Sequence, residues 1–283
     1  NLSGGQSVIA PTIVLSPTSL PNGTFNAAYN QTISASGGAA AYSFAVSSGA
    51  LPVGLSLSTG GVLSGTASVG GIFNFTVTAT DANAFTGARP YSMTIVSISQ
   101  SVTFAPASPV IFGATAITLT ATASSGLTTF TYTTSSAASI CTVVGNQLTI
   151  VGGGTCALTA TQAGNANFAM ASANANVVIN AASQTVTFAP TSPVIFGAST
   201  ITLTATASSN LTAFTFSTSS ASSICTVSSN QLTIVGGGTC ALTATQPGNA
   251  NFASASASAN VVINAASQTV TFAPSSPVTV GVA

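Results

Sequence analysis

Apolar and polar residues alternate with a period of two through most of the chain, and the alternation is broken every few residues by Gly, Pro, Asn or Ser. Such a pattern predicts short β-strands joined by tight turns, each strand half-buried on a pleated surface. Ile117, Leu119 and Ala121 fall on one face, with Thr118, Thr120 and Thr122 on the other. Phe130 and Tyr132 form a further inward pair. Cys141–Val144, then Gly145-Asn146, then Gln147–Val151 predicts a hairpin with a two-residue turn. The Gly152-Gly153-Gly154 turn leads into a strand from Thr155, and Asn176–Asn180 supplies the closing strand. No stretch carries helical periodicity.

The strand pattern recurs. Residues 99–182 and 183–266 are two copies of one 84-residue unit that differ at 14 positions. Each opens with Ser-Gln-x-Val-Thr-Phe-Ala-Pro and closes with Gly-Asn-Ala-Asn-Phe, then Asn-Val-Val-Ile-Asn-Ala-Ala. A third copy starts at Ser267 and runs to Ala283. Internal repetition at a fixed period fixes the architecture before anything else does. About seven short strands per unit with no helix indicate an immunoglobulin-like sandwich. The expected fold is therefore all-β, with tandem Ig-like β-sandwiches arranged as beads on a string. The expected division is an N-terminal extension at 1–10, a sandwich at 11–97, repeats at 99–182 and 183–266, and the start of a third repeat or an inter-subunit strand at 267–283. Short connectors, Val96–Gln100 and Ala181–Gln184, join the sandwiches.

The motifs of the repeat carry a resemblance. The Ser-Gln-Thr-Val-Thr-Phe-Ala-Pro opening, Ser223–Val227, Val235–Cys240 and Gln246–Phe252 resemble the MBG, or bacterial Ig-like, repeats of large bacterial surface proteins. The resemblance covers about 99–283 and implies an extracellular module with a Cys–Cys link and no ligand. Residues 11–97 differ. Leu15-Ser-Pro-Thr-Ser-Leu-Pro-Asn-Gly-Thr, Leu51-Pro-Val-Gly-Leu-Ser-Leu, Gly61-Val-Leu-Ser-Gly-Thr and Phe73–Asp81 resemble the family known as the putative Ig domain of bacterial cell-surface proteins. That family implies a cadherin-like sandwich found in tandem arrays. Cadherin-like relatives often bind calcium between domains through several carboxylates. Here Asp81 is the lone carboxylate side chain, and calcium takes six to eight oxygen ligands, so this property is not carried over.

Composition removes whole classes of function. Across 283 residues there is one arginine, Arg89, one aspartate, Asp81, and no Lys, Glu or His. An average soluble domain is about 25% charged; this chain is 1% charged. General acid–base catalysis, metal binding and nucleic-acid binding each need titratable or cationic groups in clusters. Serine is abundant but has no base to activate it. The expectation is a non-enzyme with no cofactor and no metal, and with no nucleic-acid partner. No apolar run approaches the roughly 18–20 residues of a spanning helix, and the absence of Trp argues against the aromatic girdles of an outer-membrane barrel, so no membrane insertion is expected. Zero net charge leaves nothing to hold copies apart, which makes self-association, as a homopolymer or side by side, the expected partnership.

Cysteines Cys141, Cys156, Cys225 and Cys240 form two pairs, each 15 residues apart. An even count at a repeated spacing reads as a structural disulfide within each repeat, formed in an oxidising compartment; the alternative is four buried free thiols. Either way a zinc site is poor, because no His or CxxC accompanies them. Asp81 and Arg89 read as one surface or hairpin ion pair. Sequons at Asn1, Asn22, Asn30, Asn74 and Asn210 permit glycosylation. Phe44, Phe75, Phe130 and Phe214 fall at inward strand positions. Phe112 and Phe196, each in Val-Ile-Phe-Gly at a strand end, read as core or interdomain packing, with sugar stacking as the alternative. Seventeen residues, Ser267–Ala283, cannot bury a core. They read as part of a continuing array, as a strand donated to another subunit through Val270, Phe272, Pro274 and Val278, or as the completion of the preceding sandwich.

The functional expectation is an extracellular structural protein of the bacterial cell surface, the shaft of a large adhesin or the protomer of a surface filament. A glycan-binding accessory module is the alternative.

Overall fold

A computed structural model describes residues 10–273 and 281. Among them there is no helix, hence none long and apolar enough to cross a membrane. Three sandwiches follow one another, and each repeats the same strand order.

In the second sandwich the larger sheet runs Val110–Ile111, Ala171–Asn180, Gly154–Gln162, Phe130–Thr134, and the smaller runs Ile117–Thr118, Gln147–Ile150, Cys141–Val144. A pair formed by Val102–Phe104 and Ala121–Ala123 completes it. All pairings are antiparallel except that of Val110–Ile111, which lies parallel to the end of Ala171–Asn180. The first sandwich reproduces this with Gly23–Thr24, Thr86–Val96, Gly71–Thr80 and Ser43–Gly49 against Ala28–Thr32, Val62–Thr66 and Leu55–Leu57. The third does so with Val194–Ile195, Ala255–Asn264, Gly238–Gln246 and Thr215–Thr218 against Ile201–Thr202, Gln231–Ile234 and Cys225–Ser228.

The seven strands expected per unit become nine segments. Proline supplies no ladder donor, and the stretch from Pro106 to Pro109 divides the first strand, so that Val102–Phe104 serves one pair and Val110–Ile111 another sheet. The strand read from Ile117 to Thr122 divides at Leu119, whose amide bonds Asn146 O at 2.8 Å. Its alternation holds: Leu119 is buried and Thr118, Thr120 and Thr122 are exposed. Cys141–Val144 pairs with Gln147–Ile150 around the Gly145-Asn146 turn.

Each sandwich has its own core. The first has no cysteine and fills its interior with Tyr29, Phe44, Phe75, Tyr91 and Met93. The second and third use small aliphatics packed around a disulfide, Cys141–Cys156 and Cys225–Cys240, with all four cysteines fully buried. Cross-linking stabilises a small unit whose core holds few large side chains. No free cysteine remains among the described residues. Phe44 and Phe75 are buried as expected. Phe130 and Phe214 are only half-buried, because they lie at or just before the start of their strands, beside a surface groove and outside the packed clusters.

The expected ion pair between Asp81 and Arg89 does not form. Asp81 is buried and accepts three backbone amides, from Ala39 at 2.9 Å, Asn83 at 2.9 Å and Phe85 at 2.8 Å. Arg89 Nε donates instead to Leu15 O at 2.9 Å, tying Thr86–Val96 to the strand Val14–Ser16. Backbone groups thus claim both charges, turn amides for Asp81 and a strand carbonyl for Arg89. Amide donation, first from Ala39, holds the Asp81 carboxyl below its ordinary range.

Candidate interaction interface

The feature that repeats between sandwiches is a loop. In the second sandwich it joins Gly154–Gln162 to Ala171–Asn180 and reads Ala163-Gly-Asn-Ala-Asn-Phe168. Asn165 Oδ1 accepts the amides of Asn167 and Phe168, both at 2.9 Å, and the Asn165 amide donates to Phe168 O at 2.8 Å. An asparagine that bonds its own backbone two residues on is a local turn former. Here it leaves the Asn167 carboxamide and the Phe168 ring free to face the neighbouring sandwich. Asn249, Asn251 and Phe252 repeat the geometry in the third sandwich, with bonds of 2.8 and 2.9 Å.

A glutamine pair, Gln162 buried and Gln100 half-buried, ties this loop to the incoming connector. Gln100 Nε2 donates to Gln162 Oε1 at 3.1 Å and to Ala169 O at 2.7 Å, while Gln162 Nε2 donates to Thr129 O at 3.1 Å. Ser125 Oγ donates to Gln100 Oε1 and the Gly164 amide to Gln162 Oε1. Gln184, Gln246 and Ser209 rebuild the set in the third sandwich. The connector then pairs with the loop: the Ile98 amide donates to Asn167 O at 3.0 Å and the Ala169 amide to Ile98 O at 2.8 Å. Ala182 does the same with Asn251 and Ala253, at 2.8 Å each.

Across the junction, Asn167 Oδ1 accepts the amide of Gly70 at 2.8 Å, and the Phe168 ring meets Phe25 edge to face, centroids 5.4 Å apart. At the next junction Asn251 Oδ1 accepts the amide of Gly153 at 2.7 Å, and Phe252 meets Phe112 at 5.4 Å. These donor glycines cannot carry a side chain: a Cβ on Gly70 would stand 1.9 Å from Ala166 O, and one on Gly153 would stand 1.8 Å from Ala250 O. Phe25 and Phe112 occupy the same place, one residue beyond the short strand that lies parallel to the last one. Two sandwiches of different sequence therefore present the same docking surface, a donating glycine amide and a phenylalanine ring. The contact contains no charged group, so salt has nothing to screen.

Of the residues singled out in the sequence, the four cysteines sit inside the cores and touch no neighbouring sandwich; Cys141 follows Ile140, whose carbonyl accepts the amide of Gly152 at 3.0 Å beside the junction glycine Gly153. Phe112 lies in it. Val270 and Phe272 are more than four-fifths exposed and form no strand, while Pro274 and Val278 lie outside the described residues. In the sequence the Gly-Asn-Ala-Asn-Phe and Ser-Gln elements mark the repeat, and nothing local to them assigns a role. Their recurrence at the same offset, polar residues included, was the available signal. The sequons at Asn22, Asn30, Asn74 and Asn210 are all exposed.

Shallow grooves flank two sandwiches. One, of ≈ 720 Å³, is lined by Phe214, Phe216, Thr204, Thr212 and Asn230; a smaller one lies against Phe130, Tyr132, Thr120 and Asn146. Among the described residues no group of three or more His, Cys, Asp or Glu is placed to hold a metal.

No curated protein matches the chain in sequence. Among solved structures it is similar to mouse cadherin-23 EC22-24, with 18% identity over 90% of this chain and 100% of that one and a TM-score of 0.36. It is similar also to human CDH23 EC21-23, with 14% identity over 90% and 100% and a TM-score of 0.36. For the protocadherin GammaB4 extracellular domain the identity is 13% and the TM-score 0.35, and the chain spans about half that structure's length, 49%. At these TM-scores the likeness carries no argument, and the fold rests on the sheet order itself. The family model described as Putative Ig domain matches residues 11–96. The first sandwich is thus an Ig-like domain of that family, in a chain of tandem Ig-like β-sandwiches.

Proposed function

We propose that this chain is a non-enzymatic, extracellular structural array: the shaft of a large bacterial surface adhesin, or the protomer of a surface filament. The observation that carries the reading is the junction built twice from the same groups, Asn167–Gly70 with Phe168–Phe25 and Asn251–Gly153 with Phe252–Phe112. A flexible string of beads needs no such contact. A part-buried hydrogen bond of about 1 kcal/mol and an aromatic pair of about 0.5–1.5 kcal/mol, added to the connector's pairing, favour one relative orientation over free swivelling. The disulfides support an oxidising compartment. The 1% charge content supports mechanical service that is indifferent to salt, and lateral self-association through uncharged Thr, Ser and Asn faces. Electron microscopy with small-angle scattering tests the reading. Straight rods of one length with a sharp maximum dimension are expected; a broad distribution of bent particles would overturn it.

A glycan-binding accessory role is the second reading, favoured by the half-buried Phe130 and Phe214 in hydroxyl-lined grooves. Phe214→Ala would abolish retention on a glycan array under that reading and leave the shaft unaffected.

A further inference from the structure

The third sandwich repeats the surface that receives the loop, and among the described residues nothing lies upon it. Phe196 occupies the place of Phe25 and Phe112, its amide bonding Asn264 O at 2.8 Å as that of Phe112 bonds Asn180 O at 2.8 Å. Gly237 occupies the place of Gly153. Yet Phe112 is half-buried and Phe196 exposed; Gly153 is half-buried and Gly237 exposed; Gly152 is buried and Gly236 only half-buried. A Cβ on Gly237 would meet nothing nearer than Ile263 O at 3.7 Å, against 1.8 Å at Gly153. The connector shows the same contrast. Gln184 is buried, whereas Gln268, 84 residues on, is exposed beside exposed Ala265 and Ala266.

We infer that the Phe196–Gly237 pole of the third sandwich is a docking surface for the Gly-Asn-Ala-Asn-Phe loop of a further 84-residue repeat. Its asparagine oxygen accepts the Gly237 amide, and its phenylalanine seats on Phe196. The occupant follows from continuity with the two junctions: the same loop closes both, although the two sandwiches that receive it differ in sequence. The connector agrees, since Ser267–Phe272 repeats the opening of the unit whose loop would dock. A second copy of this chain is the poorer fit, because both of its Asn-Ala-Asn-Phe loops are already engaged in its own junctions. This inference rests on the reading of the chain as an array of fixed junctions.

The chain contains no Trp, so a single Trp reports the pole directly. Phe196→Trp is placed in the 283-residue chain and in one lengthened by repeating residues 183–266 after Ala266; Phe112→Trp in the 283-residue chain is the reference for an occupied docking surface. Acrylamide quenching of Phe196→Trp is expected to fall by half or more on lengthening, to the level of Phe112→Trp. Gly237→Ala is expected to restore it in the lengthened chain and to do nothing in the shorter one. Protection of Phe112→Trp with equal, strong quenching of Phe196→Trp in both chains would overturn the docking surface and leave the array standing. Strong quenching of Phe112→Trp would overturn the array reading itself. Concentration-dependent protection of Phe196→Trp in the 283-residue chain would assign the pole to a second copy and overturn the repeat as occupant.

Discussion

Asn167 Oδ1 accepts the amide proton of Gly70 at 2.8 Å, across 97 residues of chain and from one sandwich to the next. Gly70 is buried, so its N–H depends on that oxygen. Removing the acceptor leaves a buried donor unsatisfied, at a cost of about 1–3 kcal/mol. Asn167→Ala is therefore expected to loosen the first junction and leave the second as it is. Asn167 belongs to no core cluster, so the melting of each sandwich should hardly move. Amide hydrogen exchange at Gly70 checks this: exchange should accelerate in the variant while Gly153 remains protected.

Gly153→Ala attacks the junction sterically. The new methyl would stand 1.8 Å from Ala250 O, which is backbone and cannot swing away, so the third sandwich must shift. The expected outcome is a broadened pair-distance distribution in small-angle scattering, with the two disulfide-linked cores melting unchanged. Unchanged scattering would mean that the junction yields without cost and is not the source of stiffness.

The disulfides separate the sandwiches by redox state. Each closes a loop 15 residues apart in sequence between fully buried sulfurs, and on the chain-entropy account a loop of this size contributes about 3 kcal/mol. Reduction with a phosphine is expected to destabilise the second and third sandwiches by that order and to spare the first, which has no cysteine. Calorimetry with and without reductant should show one transition fixed and the others moved to lower temperature.

Response to pH should separate them differently. Amides of Ala39, Phe85 and Asn83 favour the ionised Asp81 carboxylate and outweigh the opposing effect of burial, which lowers its pKa in the fold. A depressed carboxyl contributes stability above its unfolded pKa of about 3.9. That contribution is lost as pH falls through the folded value. Burial raises the pKa of Tyr29 and Tyr91, so the same sandwich also loses stability as pH rises past their unfolded value of about 10. The third sandwich, residues 183–266, contains no Asp, Glu, His, Lys, Arg or Tyr. Its melting temperature is expected to stay flat from acid to alkali while the first sandwich weakens at both ends; parallel curves would refute the assignment.

Legibility in the sequence followed the range of the interaction. The alternation of Ile117, Leu119 and Ala121 against threonines was plain because it is local and a sheet has two faces. The Cys141–Val144 hairpin was equally plain, its turn lying between the two strands it joins. The splitting of the first strand was missed because it depends on which sheet each half reaches, a non-local matter. Asp81 and Arg89 were misread for a related reason: the only opposite charges invite pairing, but amides at a chain reversal and the carbonyl of Leu15 were nearer partners. The junction was hardest to see. Asn167 and Gly70 are ordinary loop residues until the fold sets them face to face.

The two repeats exchange glycine for a residue with a side chain at two left-handed turn positions, Gly126 for Asn210 and Gly145 for Ser229, and stability should register the second. Gly145 in the second sandwich has φ 59°, and Ser229 holds φ 55° at the same place in the third. A residue bearing Cβ is disfavoured in the left-handed region by roughly 1–2 kcal/mol, while glycine enters it freely but gives up more freedom on folding, about 0.5–1 kcal/mol. The two terms oppose, and the first is larger. A Cβ at Gly145 would meet nothing within 4 Å, so the turn is open and Ser229 has no packing there to lose if the two turns are alike. Ser229→Gly is therefore expected to stabilise the third sandwich by about 0.5–1 kcal/mol, and Gly145→Ser to weaken the second by a similar amount. Urea titration of the two variants checks both signs together. Destabilisation by Ser229→Gly would show that the serine side chain holds the turn by contacts of its own.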